Sequence, residues 1–172
     1  MIVIANIYNY ITNRKKPMTI NTRFKLSNRS ITRLKGVDEN LIAVVERAIQ
    51  ITEIDFGISQ GLRTIEQQTE LVAKGKSQTM KSKHLVGEAV DVVAYVDGKV
   101  SWRLEDYTII ADAFKQAAKE LDVHMRWGAA WTCADLRMSA RPMAKEMEAY
   151  STLRKSQGRT PFLDGPHFEL ML

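Results

Sequence analysis

The chain has 172 residues, of which 45% are hydrophobic and 26% charged, and its net charge is +5 at pH 7. A chain of this length can bury a core without disulfide bonds. The single Cys133 excludes a framework of internal disulfides. No run of about twenty apolar residues occurs, so no α-helical membrane span is expected. The basic residues are scattered, with small clusters at 14–16 and 74–83, and no aromatic residues alternate with the second cluster, so the composition does not favour nucleic-acid binding.

Residues 1–25 are predicted to be a poorly ordered extension of a single domain that spans residues 26–172. The segment MIVIANIYNYI is apolar but is interrupted by Asn6 and Asn9, and basic residues follow it. A secretory signal has its charges first and a small-residue cleavage site afterwards, so no export signal is predicted. Met18 is an alternative start, because the periodic part of the chain begins after it.

The first predicted elements are a helix and a strand. Asp38 is a favourable N-cap for a helix over residues 38–53, in which apolar residues recur at helical spacing. DFGIS, residues 55–59, is predicted to be a short strand, and Gly61 interrupts the pattern after it.

The next predicted elements are a capped helix, a loop and a hairpin. TIEQQTELVAKG, residues 64–75, begins with a capping threonine and ends at a glycine, as helices commonly do. The polar and basic residues 76–83 are expected to be a loop. The β-branched run EAVDVVAYV, residues 88–96, is followed by the turn residues Asp97 and Gly98, which predicts a hairpin.

The C-terminal half adds two helices and two strands. KVSW, residues 99–102, completes the hairpin, and the helical periodicity is strongest over residues 105–122. Strands are predicted at 123–128 and 167–170, and a further helix is suggested within 141–159. Helices before and between hairpin-like strands favour an α+β fold with a small antiparallel sheet flanked by helices.

Two of the three histidines lie in short segments that each also contain an aspartate and a glycine, SKHLVGEAVD (82–91) and DGPHFEL (164–170). His84 and Asp91 would lie about 23 Å apart on a straight strand and about 10 Å apart on a helix. Neither distance allows both side chains to contact one ion at about 2 Å. The chain must therefore bend between them, and Gly87 is the residue that permits a bend.

Two imidazoles and one carboxylate, from His84, Asp91 and His167, would make a three-ligand zinc set with an open fourth position, as in catalytic sites. Asp164 would then be free to act as a general base. A lone histidine is more often a surface or hydrogen-bonded residue, which is the interpretation we give His124. Spacing alone leaves both a metal site and separate hydrogen-bonded histidines open.

The segments also resemble known motifs. SKHLVGEAVD (82–91) matches the S-x-H-x-x-G-x-A-x-D motif of the zinc-dependent peptidases that cut peptidoglycan stem peptides, a group that includes D-Ala-D-Ala carboxypeptidases and dipeptidases. DGPHFEL resembles the second motif of that family, and GLRT (61–64) and RWGAAW (126–131) resemble its arginine turn and its Trp-Gly segment. Over about residues 38–171, the order and spacing most resemble phage endolysins that are L-alanyl-D-glutamate endopeptidases.

The resemblance implies a role for each site residue. His84, Asp91 and His167 would hold Zn²⁺ at the small antiparallel sheet. Asp164 would be the catalytic base, which takes a proton from the attacking water and passes it to the leaving nitrogen. Arg63 would bind or polarise the substrate near the scissile carbonyl.

For several residues the sequence is compatible with more than one role. Ser82 matches the motif serine and is expected to support the site from outside the ligand set. Many relatives carry Glu where this chain has Asp164, and the phage endopeptidases resemble this chain in using Asp. Glu169 is a rival base, because on a strand it would share a face with His167. Arg63 could instead be a surface residue beside a helix cap.

Nearby aromatic residues and the cysteine have simpler interpretations. Trp127 and Trp131 are expected either to wall a cleft or to pack in the core. Cys133 is interpreted as a small buried hydrophobic residue, not as a ligand.

The expected function is that of a phage endolysin-type zinc metallopeptidase that cleaves the L-Ala–D-Glu bond of peptidoglycan stem peptides. The protein is expected to be a monomer without stable membrane association or a nucleic-acid partner. It would be made in the host cytoplasm and reach the periplasm and cell wall through a separate pore-forming protein. The alternatives are a D-Ala-D-Ala carboxypeptidase or dipeptidase, a non-catalytic zinc-fold module that binds the wall, and a basic nucleic-acid-binding domain.

Overall fold

The computed structural model describes residues 23–77 and 79–171. Residues 1–22, which make up most of the predicted extension, lie outside this part of the chain, and the division into an extension and a single domain stays a prediction. In chain order the helices and strands are α1 (Asn28–Arg33), α2 (Glu39–Ile51), β1 (Asp55–Gln60), α3 (Ile65–Ala73), β2 (Ala89–Val96), β3 (Lys99–Ser101), α4 (Leu104–Leu121), β4 (Met125–Trp127), α5 (Met143–Ser156) and β5 (His167–Leu170). Short 3-10 turns lie at Lys83–Val86 and Leu136–Met138.

The strands form one antiparallel sheet in the order β1-β2-β5-β4, and β3 pairs with the C-terminal part of β2, residues 94–96. This arrangement confirms the predicted α+β fold with a small antiparallel sheet. Asp97 and Gly98 both have positive φ angles, 50° and 73°, which is the backbone of the tight hairpin turn that the sequence predicts. Among the residues that the structure describes, no helix combines the length and apolar character needed to cross a membrane.

The core lies between the sheet and helices α2 and α4, which pack against each other. Phe114 of α4 stacks on Phe168 of β5 with ring centroids 3.9 Å apart, and it contacts Phe56 of β1 at 5.5 Å. The predicted apolar face of α2 is buried: Leu41, Val44, Val45, Ala48 and Ile49. The helical and strand periodicities in the sequence therefore identify the surfaces that meet in the core.

The structure adds one helix that is not predicted, shortens one predicted strand and confirms one predicted helix. Helix α1 is not predicted, because the one residue that it buries, Ser30, is polar and the helix therefore has no apolar pattern. The Ser30 hydroxyl accepts a hydrogen bond from the N–H of Ile58 (3.0 Å). Strand β4 is shorter than the predicted 123–128, because the N–H of Val123 bonds back to the last turn of α4. The helix suggested within 141–159 is confirmed as α5.

The bend expected between the first histidine and Asp91 occurs at Gly87. This residue ends the turn Lys83–Val86 with a φ of 74°, in the left-handed region that favours glycine. A Cβ atom here would lie 2.2 Å from the carbonyl oxygen of Gly36, and the Gly87 carbonyl accepts a hydrogen bond from the N–H of Asp38 (2.9 Å). The turn that carries His84 is therefore pressed against the segment before α2.

We predict that Gly87→Ala lowers the free energy of unfolding much more than Gly98→Ala does. Both positions have a positive φ, and the left-handed backbone alone should cost alanine about 1–2 kcal/mol. Only at Gly87 would the added methyl group also meet backbone atoms, since nothing lies within 4 Å of a Cβ at Gly98. Equilibrium urea unfolding of the two variants tests this, and equal losses would show that the close approach at Gly87 does not constrain the fold.

Candidate metal centre

A cleft of about 990 Å³ contains all five residues predicted to act at the site: Arg63, His84, Asp91, Asp164 and His167. Their backbones come from separate elements, with Asp91 on β2, His167 at the start of β5 and His84 in the turn Lys83–Val86. A smaller cavity of about 380 Å³, lined by residues from α4 and the segment 51–53, contains none of them. The fold thus gathers the predicted residues in one place.

The pairing of β2 with β5 sets two of these side chains side by side. Asp91 lies directly opposite His167 in the antiparallel register, and Ala89 lies opposite Glu169. Side chains alternate between the faces of a strand, so these four residues point to the face away from the aromatic core. Ala89 is small and leaves room for the longer side chain of Glu169 beside it.

Three side-chain atoms form a nearly equilateral triangle. His84 Nε2 is 3.2 Å from Asp91 Oδ1 and 3.3 Å from His167 Nδ1, and the last two atoms are 3.1 Å apart. Bonds of about 2.0–2.1 Å to a tetrahedral zinc ion would separate its ligand atoms by roughly 3.3 Å. The triangle therefore fits one cation with a fourth position open, and no other such group occurs among residues 23–77 and 79–171.

His84 is oriented by contacts with the main chain. Its Nδ1–H donates to the carbonyl of Gly61 (2.8 Å), so when the imidazole is neutral its lone pair is on Nε2, the nitrogen that faces the other two atoms of the triangle. The Ser82 hydroxyl accepts a hydrogen bond from the His84 N–H (3.3 Å) and caps the turn. The His84 carbonyl accepts one from the N–H of Arg63 (2.9 Å). Ser82 thus supports the turn, as expected.

The acidic groups around the triangle favour a positive charge at its centre. Burial alone would raise the pKa of Asp91, but hydrogen bonds with His167 and His84 lower that pKa well below its usual range. Burial would likewise lower the pKa of His167, but hydrogen bonds with Asp91 and Glu169 raise it to about 9. A metal cation bound here would meet an already ionised Asp91 and would displace one proton from His167.

Asp164 lies in the same cleft, but its carboxylate has different surroundings from that of Asp91. Its N–H donates to the carbonyl of Gly128 (3.0 Å), and its own carbonyl accepts from the N–H of His167 (3.2 Å), which fixes the turn before β5. Among the described residues, no donor hydrogen-bonds to its carboxylate. Burial and the negative charge of Asp91 raise the pKa of Asp164.

Arg63 is buried, with 9% of its surface exposed, which argues against the alternative that it is a surface residue. Its Nη2 donates to the second carboxylate oxygen of Asp91 (3.4 Å), and its Nη1 donates to Oε1 of Gln68 (2.7 Å). The Gln68 amide nitrogen donates in turn to Ser77 Oγ (2.9 Å) and to the carbonyl of Thr79 (2.6 Å). Arg63 therefore lies beside the triangle in a fixed orientation.

Gln68 orients Arg63, but no pattern in the sequence indicates this role. Gln68 is fully buried, and it is the one buried residue of α3, so a polar residue occupies the inner face of that helix. Apolar periodicity cannot reveal such a position. A glutamine four residues after a helix cap is also a common helix-surface residue, so the pattern carries no other signal.

Arg126, which lines the cleft, is also not indicated by the sequence pattern. It lies opposite Glu169 in the register of β4 with β5, and its Nε donates to Glu169 Oε1 (2.5 Å). This contact becomes visible only when the strand pairing is known. Glu169 also accepts a hydrogen bond from Nε2–H of His167 (2.9 Å), so both of its oxygens are engaged.

The two tryptophans occupy different environments. Trp127 is fully buried and its Nε1 donates to the carbonyl of Gly165 (2.7 Å), so it belongs to the core. Trp131 lines the cleft, stacks on Phe162 and lies 5.8 Å from the His167 ring. Each of the two expected roles thus applies to one tryptophan.

His124 and Cys133 do not line the cleft. The side chain of His124 is 60% exposed, which confirms its surface position. Cys133 is partly buried and packs against the hydrophobic core, so its predicted burial is incomplete.

Comparisons with known proteins cover most of the chain. The family described as phage L-alanyl-D-glutamate peptidase matches residues 22–171. The L-alanyl-D-glutamate peptidase of Escherichia phage T5 is 38% identical over 115 residues, which cover 64% of this chain and 84% of that protein. The protein of the same name from Listeria phage A118 is 32% identical over 109 residues, which cover 61% of this chain but only 37% of that protein.

A solved structure is also similar. The L-Ala D-Glu endopeptidase ChiX of Serratia marcescens matches with a TM-score of 0.65 and 33% identity, covering 90% of this chain and 94% of that one. The family match includes both histidine segments and the turn that carries Arg63, so it extends over all five residues gathered in the cleft. The resemblance that the motifs indicate is confirmed, and the chain belongs to the phage L-alanyl-D-glutamate peptidase family.

Proposed function

We propose that the protein is a zinc-dependent endopeptidase that hydrolyses the L-Ala–D-Glu amide bond of peptidoglycan stem peptides. The observation that carries this proposal is the triangle of His84, Asp91 and His167 atoms, with sides of 3.1–3.3 Å, in a cleft that also holds Asp164 and Arg63. Membership of the family supports the choice of bond, since the relatives from two phages are named for it.

His84, Asp91 and His167 would hold the ion, since two imidazole nitrogens and one carboxylate oxygen are a common ligand set of catalytic zinc. When bound, Zn²⁺ supplies Lewis-acid activation of water and of a carbonyl oxygen. The protein keeps the ligand atoms in place before binding, because His84 is fixed by Gly61 and His167 by its neighbours on β5.

Asp164 is the proposed general base. Its carboxylate has no hydrogen-bond donor among the residues described, so it is free to accept a proton from the attacking water and to deliver that proton to the leaving nitrogen. The partial burial that raises the pKa of Asp164 also strengthens it as an acceptor. Glu169 is less suited to this role, because His167 and Arg126 already occupy its two oxygens.

Arg63 is proposed to stabilise the negative charge that develops on the substrate carbonyl oxygen. Its guanidinium group is charged at any physiological pH and is held beside Asp91 by Gln68. Preorganised positive charge of this kind needs little rearrangement during the reaction.

The charge of the cleft supports an anionic substrate. Its lining includes five cationic side chains against three carboxylates: Arg63, Lys76, Lys81, Lys83 and Arg126 against Asp91, Asp164 and Glu169. A bound cation would make this excess larger. A stem peptide carries a free carboxylate on D-Glu beside the bond to be cut, so the excess of positive charge favours its approach. We propose that the protein acts as a monomer on the wall after release from the host cytoplasm.

The proposed reaction predicts which bond is broken. Purified peptidoglycan incubated with the protein should yield new D-Glu amino termini, and a chelator should abolish their release until zinc is restored. Chemical labelling of the released amino termini followed by mass spectrometry measures this. Release of D-Ala would instead assign the site to a carboxypeptidase, and binding of wall material without any release would indicate a non-catalytic module.

We predict that Asp164→Asn lowers kcat by about 100-fold or more while zinc affinity stays close to that of the wild type. The substitution removes the proton acceptor but preserves the size of the side chain and leaves the three ligand atoms in place. Asp97→Asn is the matched control, because Asp97 lies in an exposed hairpin turn with a positive φ that asparagine adopts readily. Near-normal turnover by Asp164→Asn would remove Asp164 from the role of base.

Gln68→Met should affect both stability and turnover. It leaves Arg63 Nη1 and the Thr79 carbonyl without their buried partners, which should lower the free energy of unfolding by about 2 kcal/mol. It also releases Arg63, so kcat/KM should fall. Gln157→Met, at an exposed position after α5, should stay within about 0.5 kcal/mol of the wild type. Urea unfolding and steady-state kinetics of both variants provide the test. Unchanged kinetics of Gln68→Met would show that catalysis does not depend on the orientation that Gln68 gives Arg63.

A further inference from the structure

We propose that Glu169, held by Arg126, is a positioning residue that fixes the orientation and tautomer of His167 and thereby sets the affinity of the site for zinc. The inference rests on the proposed zinc site. It concerns residues outside the ligand triangle, and it assigns Glu169 a role distinct from that of the general base.

The hydrogen bond between His167 and Glu169 determines which imidazole nitrogen faces the triangle. Glu169 Oε2 lies 2.9 Å from His167 Nε2, and a carboxylate can only accept, so Nε2 carries the hydrogen. A neutral imidazole then presents its lone pair at Nδ1, which is the atom that lies 3.1 Å from Asp91 Oδ1 and 3.3 Å from His84 Nε2. Nδ1 donates to Asp91 in the same way while the ring carries both hydrogens. When a cation takes the place of the Nδ1 hydrogen, Glu169 keeps the other hydrogen at Nε2, so the ring has the tautomer that can bind the cation.

Glu169 is itself held in place. It is 5% exposed, and a buried carboxylate is unfavourable unless charged or hydrogen-bonding partners surround it. Arg126, directly opposite on β4, donates from Nε to the second carboxylate oxygen at 2.5 Å. The register of two strands thus fixes the Arg126–Glu169 pair, and the pair fixes His167.

Trp131 contacts both Arg126 and His167. The guanidinium carbon of Arg126 lies 5.1 Å from the centroid of the Trp131 ring, a cation–π distance, and the same ring lies 5.8 Å from the ring of His167. The His167 ring is therefore contacted by Glu169 at its outer nitrogen and by Trp131 at its side. These contacts leave the ring little freedom to turn Nδ1 away from the triangle.

The two histidines differ in how they are held. His84 donates to the main-chain carbonyl of Gly61, which no side-chain substitution removes. His167 donates to a charged carboxylate, and a carboxylate partner raises the basicity of an imidazole ligand. The strength of His167 as a ligand should therefore depend on a side chain outside the triangle.

The test compares Glu169→Gln with the wild type and with Asp164→Asn. Zinc affinity is measured by competition with a chromophoric chelator, and hydrolysis is measured at limiting and at saturating zinc. Glu169→Gln should bind zinc about 10- to 100-fold more weakly, and saturating zinc should restore most of its kcat. Asp164→Asn should show the opposite behaviour, with zinc affinity retained and kcat lost at any zinc concentration.

A matched control is available in Glu146→Gln. Glu146 is another buried glutamate, 7% exposed, that accepts hydrogen bonds from Arg141 (2.8 Å) and Ser139 (2.6 Å), and it does not line the cleft. Loss of its charge should reduce stability without changing zinc affinity. Arg126→Gln is a second variant that keeps Glu169 and changes a half-exposed residue; its zinc affinity should fall by a smaller factor, even if Glu169→Gln folds poorly.

Zinc binding by Glu169→Gln and Arg126→Gln as tight as that of the wild type would overturn the positioning role. Loss of kcat in Glu169→Gln that saturating zinc does not restore, with zinc affinity retained, would also overturn it and would place Glu169 in proton transfer. If the wild-type protein binds no zinc, the proposed metal site is wrong. Failure of the zinc site and failure of the positioning role of Glu169 therefore give different results.

Discussion

The geometry of the site depends on the register between β2 and β5. Val90 and Phe168 are paired and fully buried, and Phe168 stacks on Phe114 of α4, so the core specifies which residues of both strands point inward. The next residues, Asp91 and His167, must then point to the opposite face and lie side by side. A slip of β5 by one residue would turn His167 towards the core and Phe168 away from it, so the aromatic packing in the core also keeps His167 beside Asp91.

The third residue of the triangle is positioned in a different way. His84 lies on a short turn, and it is positioned because Gly87 allows the chain to pass within a few ångströms of Gly36. Asp38 connects this contact to the rest of the fold, since its side chain caps α2 while its N–H bonds to the Gly87 carbonyl. The cap of a core helix and the position of a ligand therefore depend on one residue.

The sequence identifies those parts of the fold and site that periodicity and local chemistry specify. The buried face of α2 and the hairpin turn follow from residue types at short spacing, whereas the grouping of His84, Asp91 and His167 is implied by the resemblance of two short motifs to those of a known family. Gln68 could not be found this way, because it is a polar residue on the buried side of a helix, and the Arg126–Glu169 pair depends on a strand register that the sequence does not state. Residues whose partners are remote in sequence are the ones that need coordinates.

The three carboxylates of the cleft have different environments, and this difference supports their separate roles. Burial opposes the ionisation of Glu169, but hydrogen bonds with His167 and Arg126 outweigh it and lower the pKa of its carboxyl group. The pKa of Asp91 is also lowered, because both histidines bond to its carboxylate. Asp164 lacks such partners, and burial together with the charge of Asp91 raises its pKa. Groups whose pKa values are driven apart in one site are suited to different tasks. Asp91 and Glu169 therefore remain anions, and Asp164 is the carboxylate with the most favourable protonation, so it is the one suited to carry a proton.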